Sequence, residues 1–282
     1  MDLPTVLLEP IVREALREDI GSGDLTTRLT VPTGARATAR LVAKQEGVVC
    51  GIGVAALAFR LMDPEAICTP VRADGDRVTP GDVLAVVDGP ADALLTAERV
   101  ALNFLQRLSG TATLARRCVD AVAGTSATVV DTRKTTPGLR LLEKYAVRCG
   151  GAANHRFGLG DGILIKDNHL AAGGGVGECV RRARAGAPHG IRVEVECKSL
   201  EQVEEALAVG ADILLLDNMD LPTLRAAVGR IAGRARTEAS GGVRLETIRA
   251  IAETGVDLVS VGALTHSAPA LDISLDFEPV SR

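Results

Sequence analysis

Asp131-Thr132-Arg133-Lys134-Thr135-Thr136-Pro137-Gly138 sets an acid and two adjacent cations ahead of a turn-closing Pro-Gly. The apolar run Ala127–Val130 precedes it and has the character of a buried strand. Leu139–Val147 follows with helical spacing. A strand end thus delivers Arg133 and Lys134 into a turn. Alone, such a pair fits a solvated loop. As an anion clamp it needs further polar groups nearby, and other strand ends supply them.

Asn154-His155-Arg156 precedes the apolar run Ile163–Ile165, which ends in Lys166-Asp167-Asn168-His169. Arg192–Val195 carries Glu194 and leads into Glu196, and Ile213–Leu216 ends in Asp217-Asn218. Arg236–Glu238 leads to Ser240-Gly241-Gly242, and Leu258–Val261 to Gly262-Ala263-Leu264-Thr265-His266. Each residue has an ordinary explanation by itself. Lys166 could be a solvent lysine and Asp217 a helix cap. Glu196 could be an exposed strand residue, on the same face as Glu194. His155 could be a hydrogen-bonded surface histidine. In βα folds, however, function gathers where strands end, and here four cations, two acids and two glycine turns converge on one such face.

That set points to a particular ligand chemistry. Arg presents a planar fork of donors matching carboxylate or phosphate oxygens in pairs. Arg133, Arg156, Lys134 and Lys166 together imply a substrate with several negative charges. Acids on neighbouring strand ends suit Mg²⁺, which takes one or two carboxylates plus substrate oxygens. Ser240-Gly241-Gly242 and Val261-Gly262-Ala263 are expected to open helices, with backbone N–H groups aimed at an anion. On the last two strands they match the phosphate position typical of barrels. The sum is a phosphorylated substrate, a polycarboxylate partner and a metal bridging a diphosphate.

The elements that must position these residues follow from the pattern. After Gly124, short apolar runs alternate with helical patterns such as Val176–Ala185, Leu200–Val209, Leu221–Ile231 and Leu245–Glu253, at roughly 20–30-residue spacing. Six strands fit an α/β barrel that is incomplete or open; a doubly wound sheet shares the pattern. The first third differs. Leu7, Leu8, Ile11, Val12, Ala15 and Leu16 mark an amphipathic helix stopped at Gly21-Ser22-Gly23, and Asp24–Thr27 begins a polar connection. Thr38–Ala43 alternates as a strand, Val54–Met62 is a short helix, and Asp74-Gly75 and Pro80-Gly81 suit hairpins. These describe an N-terminal α+β sandwich. The long helical pattern Thr96–Val122 is interrupted near Ser109-Gly110, which puts the boundary between a domain of residues 1–110 and one of residues 111–282. The tail, residues 268–282, is free to return to the first domain.

Composition narrows the function classes. The 282 residues allow a sizeable core, with 46% hydrophobic and 24% charged residues. There is no Trp, one Tyr and four Phe, too few for base-stacking platforms. A net charge of −4 argues against nucleic-acid or anionic-membrane partners, so any cationic site is local. Six scattered Cys form no C-x-x-C pair and read as reduced, apolar residues. Without a signal-peptide pattern or a membrane-length apolar run, a cytoplasmic protein is expected.

The chain resembles the quinolinate phosphoribosyltransferase family along essentially its whole length. The markers are Glu18–Asp24, Thr96–Asn103, Asp131–Thr135, Asn154-His155-Arg156, Ile165–His169, Leu216-Asp217-Asn218, Ser240-Gly241-Gly242 and Val261–His266. The resemblance implies decarboxylating transfer: quinolinate attacks phosphoribosyl pyrophosphate through its ring nitrogen, Mg-pyrophosphate leaves, and the 2-carboxylate departs as CO₂ to give nicotinate mononucleotide. It implies an N-terminal sandwich joined to an incomplete barrel, in a homodimer. By position it gives Arg133, Arg156 and Lys166, with His155 beside them, to the two carboxylates. Arg99 joins from the other subunit, although the residues alone suit a surface ion pair with Glu98. Lys134, Glu196 and Asp217 serve the ribose and metal–pyrophosphate end, with Glu194 an alternative to Glu196. Ser240, Gly241 and Gly262 hold the 5′-phosphate.

Three other readings remain at this level. A related transferase would take nicotinate or another acid, but the set Arg99, Arg133, Arg156 and Lys166 favours a dicarboxylate. A Schiff-base lyase would use Lys166 and leave the acids and glycine turns without work. A binding module for phosphorylated metabolites would show no turnover.

Overall fold

The computed structural model describes residues 3–278. In chain order the elements are α1 (Thr5–Ile20), α2 (Leu25–Thr30), β1 (Arg36–Ala43), β2 (Gly47–Val48), α3 (Ile52–Met62), β3 (Ile67–Pro70), β4 (Arg77–Val78), β5 (Val83–Pro90) and α4 (Ala91–Ala121). Then come β6 (Thr128–Val130), α5 (Arg140–Cys149), β7 (Ile163–Ile165), α6 (Asp167–Gly173), α7 (Val176–Gly186), β8 (Val193–Cys197), α8 (Leu200–Ala208) and β9 (Ile213–Asp217). The last are α9 (Leu221–Ile231), β10 (Arg236–Ser240), α10 (Ile248–Ala252), β11 (Leu258–Ser260), α11 (Ala263–His266) and β12 (Ile273–Phe277). Among the described residues no helix is long and apolar enough to cross a membrane.

The chain forms two compact units. The first comprises residues 1–116, 136–151 and 267–282; the second comprises 117–135 and 152–266. In the first, an antiparallel sheet runs β12-β1-β5-β3. The alternation that marks β1 buries Ala39, Leu41 and Ala43. Leu41 pairs with Leu275 on one side and Ala85 on the other. Leu8, Val12 and Leu16 of α1 join this core with Phe59 of α3 and Leu94, Leu105 and Leu108 of α4. With so few aromatic residues the core is filled by interlocking aliphatic side chains.

Two local expectations change. Asp24–Thr27 is no open connection: Asp24 caps α2, accepting from Thr27 N at 3.0 Å and Thr27 Oγ1 at 2.6 Å. Ser109-Gly110 does not interrupt the helix, since α4 runs unbroken through both. Their small size serves packing. Ser109 Oγ receives Cys50 N at 2.9 Å, and a Cβ at Gly110 would collide with the Pro269 carbonyl. The tail contributes β12 to the first unit's sheet, and its final residues 279–282 lie outside the described residues.

In the second unit six parallel strands run β6-β11-β10-β9-β8-β7. β6 and β7 end the order without pairing to each other, so the barrel is incomplete. The connection between them carries α5 and the residues through Gly162. α7, α8 and α9 link successive strands, which places every strand's carboxyl end on the same edge.

Candidate active site

The carboxyl ends of the second unit's strands enclose a cavity of about 300 Å³. Four cations line it: Arg133 and Lys134 after β6, Arg156 ahead of β7, and Lys166 at the end of β7. Glu196 of β8, Asp217 of β9 and Ser240-Gly241 at the end of β10 complete much of the wall. Arg99 belongs to the first unit, where it is exposed on α4; among the described residues no acid pairs with it within 4.0 Å.

The first strand end is braced by its own polar groups. Lys134 N donates to Thr132 Oγ1 at 3.0 Å, and Thr265 Oγ1 of α11 donates to the Lys134 carbonyl at 2.7 Å. A Cβ built on Gly262 would come within 3.2 Å of Lys134 Cδ, so the missing side chain leaves room for the lysine stem. Lys134 and Gly262 thus share one corner.

Asp131 is fully buried, and its role reaches beyond its own turn. Oδ1 accepts from His155 N at 2.8 Å and Oδ2 from Asn154 Nδ2 at 2.7 Å. The carboxylate therefore fixes the Asn154–Arg156 segment against the end of β6. Arg156 in turn donates from Nη1 to the Gly162 carbonyl at 2.9 Å. Burial first, then the neighbouring Arg133, lowers the Arg156 pKa from its ordinary value. A guanidinium remains charged through such a shift, so two cations stand close together in the cavity wall.

The acidic side is equally specific. Glu194 and Glu196 sit two apart on one face of β8, yet their surroundings differ. Glu196 lines the cavity with Asp217, and burial followed by the Asp217 charge raises its pKa, with Lys166 opposing. Lys198, overlooked in the sequence, lies 3.6 Å from Glu196 and 2.8 Å from Asp167. Glu194 instead meets His155 Nε2 at 3.1 Å. Glu196, raised toward neutrality by burial and by the charge of Asp217, forms with that residue a pair of acids beside an open cavity, which suits a divalent cation that also takes substrate oxygens. Glu196 and Asp217 fit that group, and Glu194 is engaged elsewhere.

At the far wall the backbone does the work. Asn218 adopts φ 55° and donates through its backbone N to the Ser240 carbonyl at 2.9 Å. Its side chain donates to Asp217 Oδ2 at 2.8 Å. Gly241 has φ 95°, and a Cβ there would strike the Asn218 amide. The glycine is required both by its backbone and by this approach. Ser240-Gly241-Gly242 does not open a helix directly, because α10 begins only at Ile248; Val261-Gly262 does lead straight into α11.

Glu238, in the middle of β10, lines the same cavity at 1% exposure. Sequence reading passed over it as a strand residue. Its signal was an acid between Thr237 and Ala239 in a strand too buried to carry one idly.

Comparison with known proteins bears on what the cavity is for. Residues 24–109 match the family model described as quinolinate phosphoribosyl transferase, N-terminal domain, and residues 111–276 match the C-terminal domain. The chain is 48% identical over 272 residues to the Mycobacterium leprae (strain TN) protein named nicotinate-nucleotide pyrophosphorylase (carboxylating), covering 94% of this chain and 95% of that one. It is 46% identical over 269 residues to a Bacillus subtilis (strain 168) protein named as a probable member of the same activity, covering 95% and 93%. Among solved structures, NadC from Streptococcus pyogenes superposes with a TM-score of 0.95 at 45% identity, covering 99% of this chain and all of that one.

Proposed function

The chain belongs to the quinolinate phosphoribosyltransferase family, and on that footing we propose how its own residues carry out decarboxylating phosphoribosyl transfer to quinolinate. The reaction joins quinolinate to phosphoribosyl pyrophosphate and yields nicotinate mononucleotide, pyrophosphate and CO₂. The observation that carries the reading is the single cavity in which Arg133, Arg156 and Lys166 stand opposite Glu196 and Asp217. One side suits a dicarboxylate and the other a metal-bound diphosphate.

Arg133, Arg156 and Lys166 hold the two carboxylates. Their number favours quinolinate over nicotinate, which has one carboxylate to neutralise. Lys134 serves the ribose and pyrophosphate, next to Gly262, while Ser240, Gly241 and Gly262 receive the 5′-phosphate. Mg²⁺ on Glu196 and Asp217 would neutralise charge on the departing pyrophosphate. The enzyme works as a cytoplasmic homodimer in which Arg99 of one copy completes the carboxylate clamp of the other.

The chemistry asks little proton transfer of these residues. A pyridine nitrogen has a free lone pair and needs no general base. The cavity's task is to hold that nitrogen in line with the anomeric carbon and to stabilise separating charge. Once alkylated, the pyridinium stabilises the electron pair left on C2 as the bond to the adjacent carboxylate breaks; CO₂ leaves, and C2 takes a proton from water to give nicotinate mononucleotide. Arg133 and Lys166 orient that carboxylate.

Steady-state turnover of quinolinate and nicotinate, side by side with phosphoribosyl pyrophosphate, tests the reading. Quinolinate is expected to win by kcat/KM; preference for nicotinate would replace it. Failure to release pyrophosphate with either acid would reduce the protein to a binding module.

A further inference from the structure

Beneath the carboxylate subsite lies a second cavity of about 370 Å³ at the amino ends of the strands. His155, Arg156 and Glu238 line both cavities. At this waist β8 and β10, separated by β9, each send a buried carboxylate inward: Glu194 is 4% exposed and Glu238 is 1% exposed. His155 Nε2 stands 3.1 Å from Glu194 Oε2 and 3.5 Å from Glu238 Oε2.

The other ring nitrogen settles the protonation. Nδ1 accepts from the backbone N–H of Arg156 at 2.7 Å. A backbone N–H can only donate, so Nδ1 carries a lone pair and the ring's proton sits on Nε2, facing the acids. Both nitrogens are engaged and the imidazole is neutral. It has no N–H left for a substrate carboxylate. Nor does the trio suit a metal, which needs a lone pair on Nε2 and a proton on Nδ1 to donate outward.

We propose that Glu194 and Glu238 are positioning residues that act on quinolinate affinity through His155, which aligns Arg156 and does not itself bind the substrate. This rests on the assignment of Arg156 to the carboxylates. The Asn154–Arg156 segment is then pinned by Asp131 at its backbone and by the acids at the ring. Glu238 has neither oxygen in hydrogen-bond geometry with a partner among the described residues. A bare charge there would be costly, so Glu238 is held as the neutral acid. Burial, then the charge of Glu194, pushes its pKa up to about 7. The site floor therefore gains a negative charge as pH rises through that value. The charged and titratable groups around it are Glu194 and Glu196 of β8, Asp217 of β9, Lys166 after β7, Arg133 and Lys134 after β6, His155 and Arg156, with Asp161, Arg192 and Arg236 on the lower cavity. An extra anion here opposes binding of a dicarboxylate.

The test is a double-mutant cycle on the full chain, following KM for quinolinate, KM for phosphoribosyl pyrophosphate and kcat from pH 6 to 9, with folding checked by circular dichroism. His155→Leu and Glu194→Leu are each expected to raise the quinolinate KM by roughly tenfold, and the double variant no further than the worse single one. The phosphoribosyl pyrophosphate KM should move little. For the unmutated enzyme the quinolinate KM should climb as pH passes about 7, and in Glu238→Gln it should stay flat. Should Glu194→Leu not fold, Glu194→Gln takes its place in the cycle. Additive effects, or a His155→Leu defect with no Glu194 defect, would make His155 a direct ligand and overturn the proposal. So would a pH rise that persists in Glu238→Gln. No quinolinate turnover by the unmutated chain would instead overturn the proposed function.

Discussion

Asp131 Oδ1 receives the backbone N–H of His155 at 2.8 Å, tying the end of the first barrel strand to the segment that presents Arg156. The bond spans 24 residues of sequence and is fully buried on the aspartate side. Asp131→Asn is expected to damage it, because one of the two positions now filled by acceptor oxygens would hold an NH₂ facing a donor. The cost should be about 1.5–3 kcal/mol of stability, read by urea denaturation, together with a raised quinolinate KM. Unchanged stability would mean that the segment is held by its other contacts.

Gly241→Ala should separate the two substrates. The new methyl would meet the Asn218 amide in a backbone conformation that L side chains rarely adopt. If Ser240-Gly241 receives the 5′-phosphate, KM for phosphoribosyl pyrophosphate rises at least about tenfold while that for quinolinate changes far less. An equal rise in both would indicate general collapse of the site.

Glu238→Gln carries a stability signature as well as a kinetic one. The folded-state pKa of Glu238, about 7, lies above its ordinary value of 4.5. The acid's contribution is therefore complete below about pH 4.5 and is lost as pH rises through about 7. The variant has nothing to lose on this account. Its stability relative to the unmutated chain should increase between those limits, by an amount of order 2–3 kcal/mol. Thermal melts at pH 5 and pH 8 check the sign; a variant that loses stability relative to the unmutated chain as pH rises would contradict the assignment of a neutral acid.

Much of this site was legible one residue at a time, because strand ends are local features. Lys166 and Asp217 each close a short apolar run, Glu196 and Ser240 lie near the ends of strands of mixed composition, and the parallel order carries those ends to one edge. What stayed hidden depends on partners distant in sequence. Asp131 looked like a turn residue because Asn154 and His155, which follow a parallel bridge between Val130 and Ala153, come more than twenty residues later in the chain. Glu238 looked like ordinary strand filling because its neighbour Glu194 comes from a strand two places away in the sheet. Ser109-Gly110 resembled a break because serine and glycine are poor helix formers. Their reason for being there is the close approach of Cys50 and Pro269.

Glu143 offers a test of the first unit alone. It is fully buried, accepting from Arg107 Nη2 at 3.0 Å, Thr136 N at 2.9 Å and Thr136 Oγ1 at 2.7 Å. Glu143→Ala would strand these donors and should cost roughly 3 kcal/mol, measured by chemical denaturation. A loss under about 0.5 kcal/mol, the range of ordinary surface changes, would show that water replaces the carboxylate.

The cross-subunit role of Arg99 can be read by complementation. Arg99→Ala and Lys166→Ala should each be nearly inactive. If Arg99 serves the partner's site, dissociating and reassociating a mixture creates hybrid dimers with one intact site, and activity returns to about a quarter of normal. No recovery, despite hybrids detected by native mass spectrometry, would place Arg99 within its own subunit's site or outside any site.

Whether the cations at these strand ends form a dicarboxylate clamp for phosphoribosyl transfer is read from kcat/KM for quinolinate in Arg133→Ala, with CO₂ and pyrophosphate measured together and the fold verified by circular dichroism. Equimolar products are expected from the unmutated chain only when both substrates are present, and kcat/KM should fall roughly 10²–10³-fold in the variant. A folded Arg133→Ala enzyme that turns over quinolinate as well as the unmutated chain would contradict the clamp.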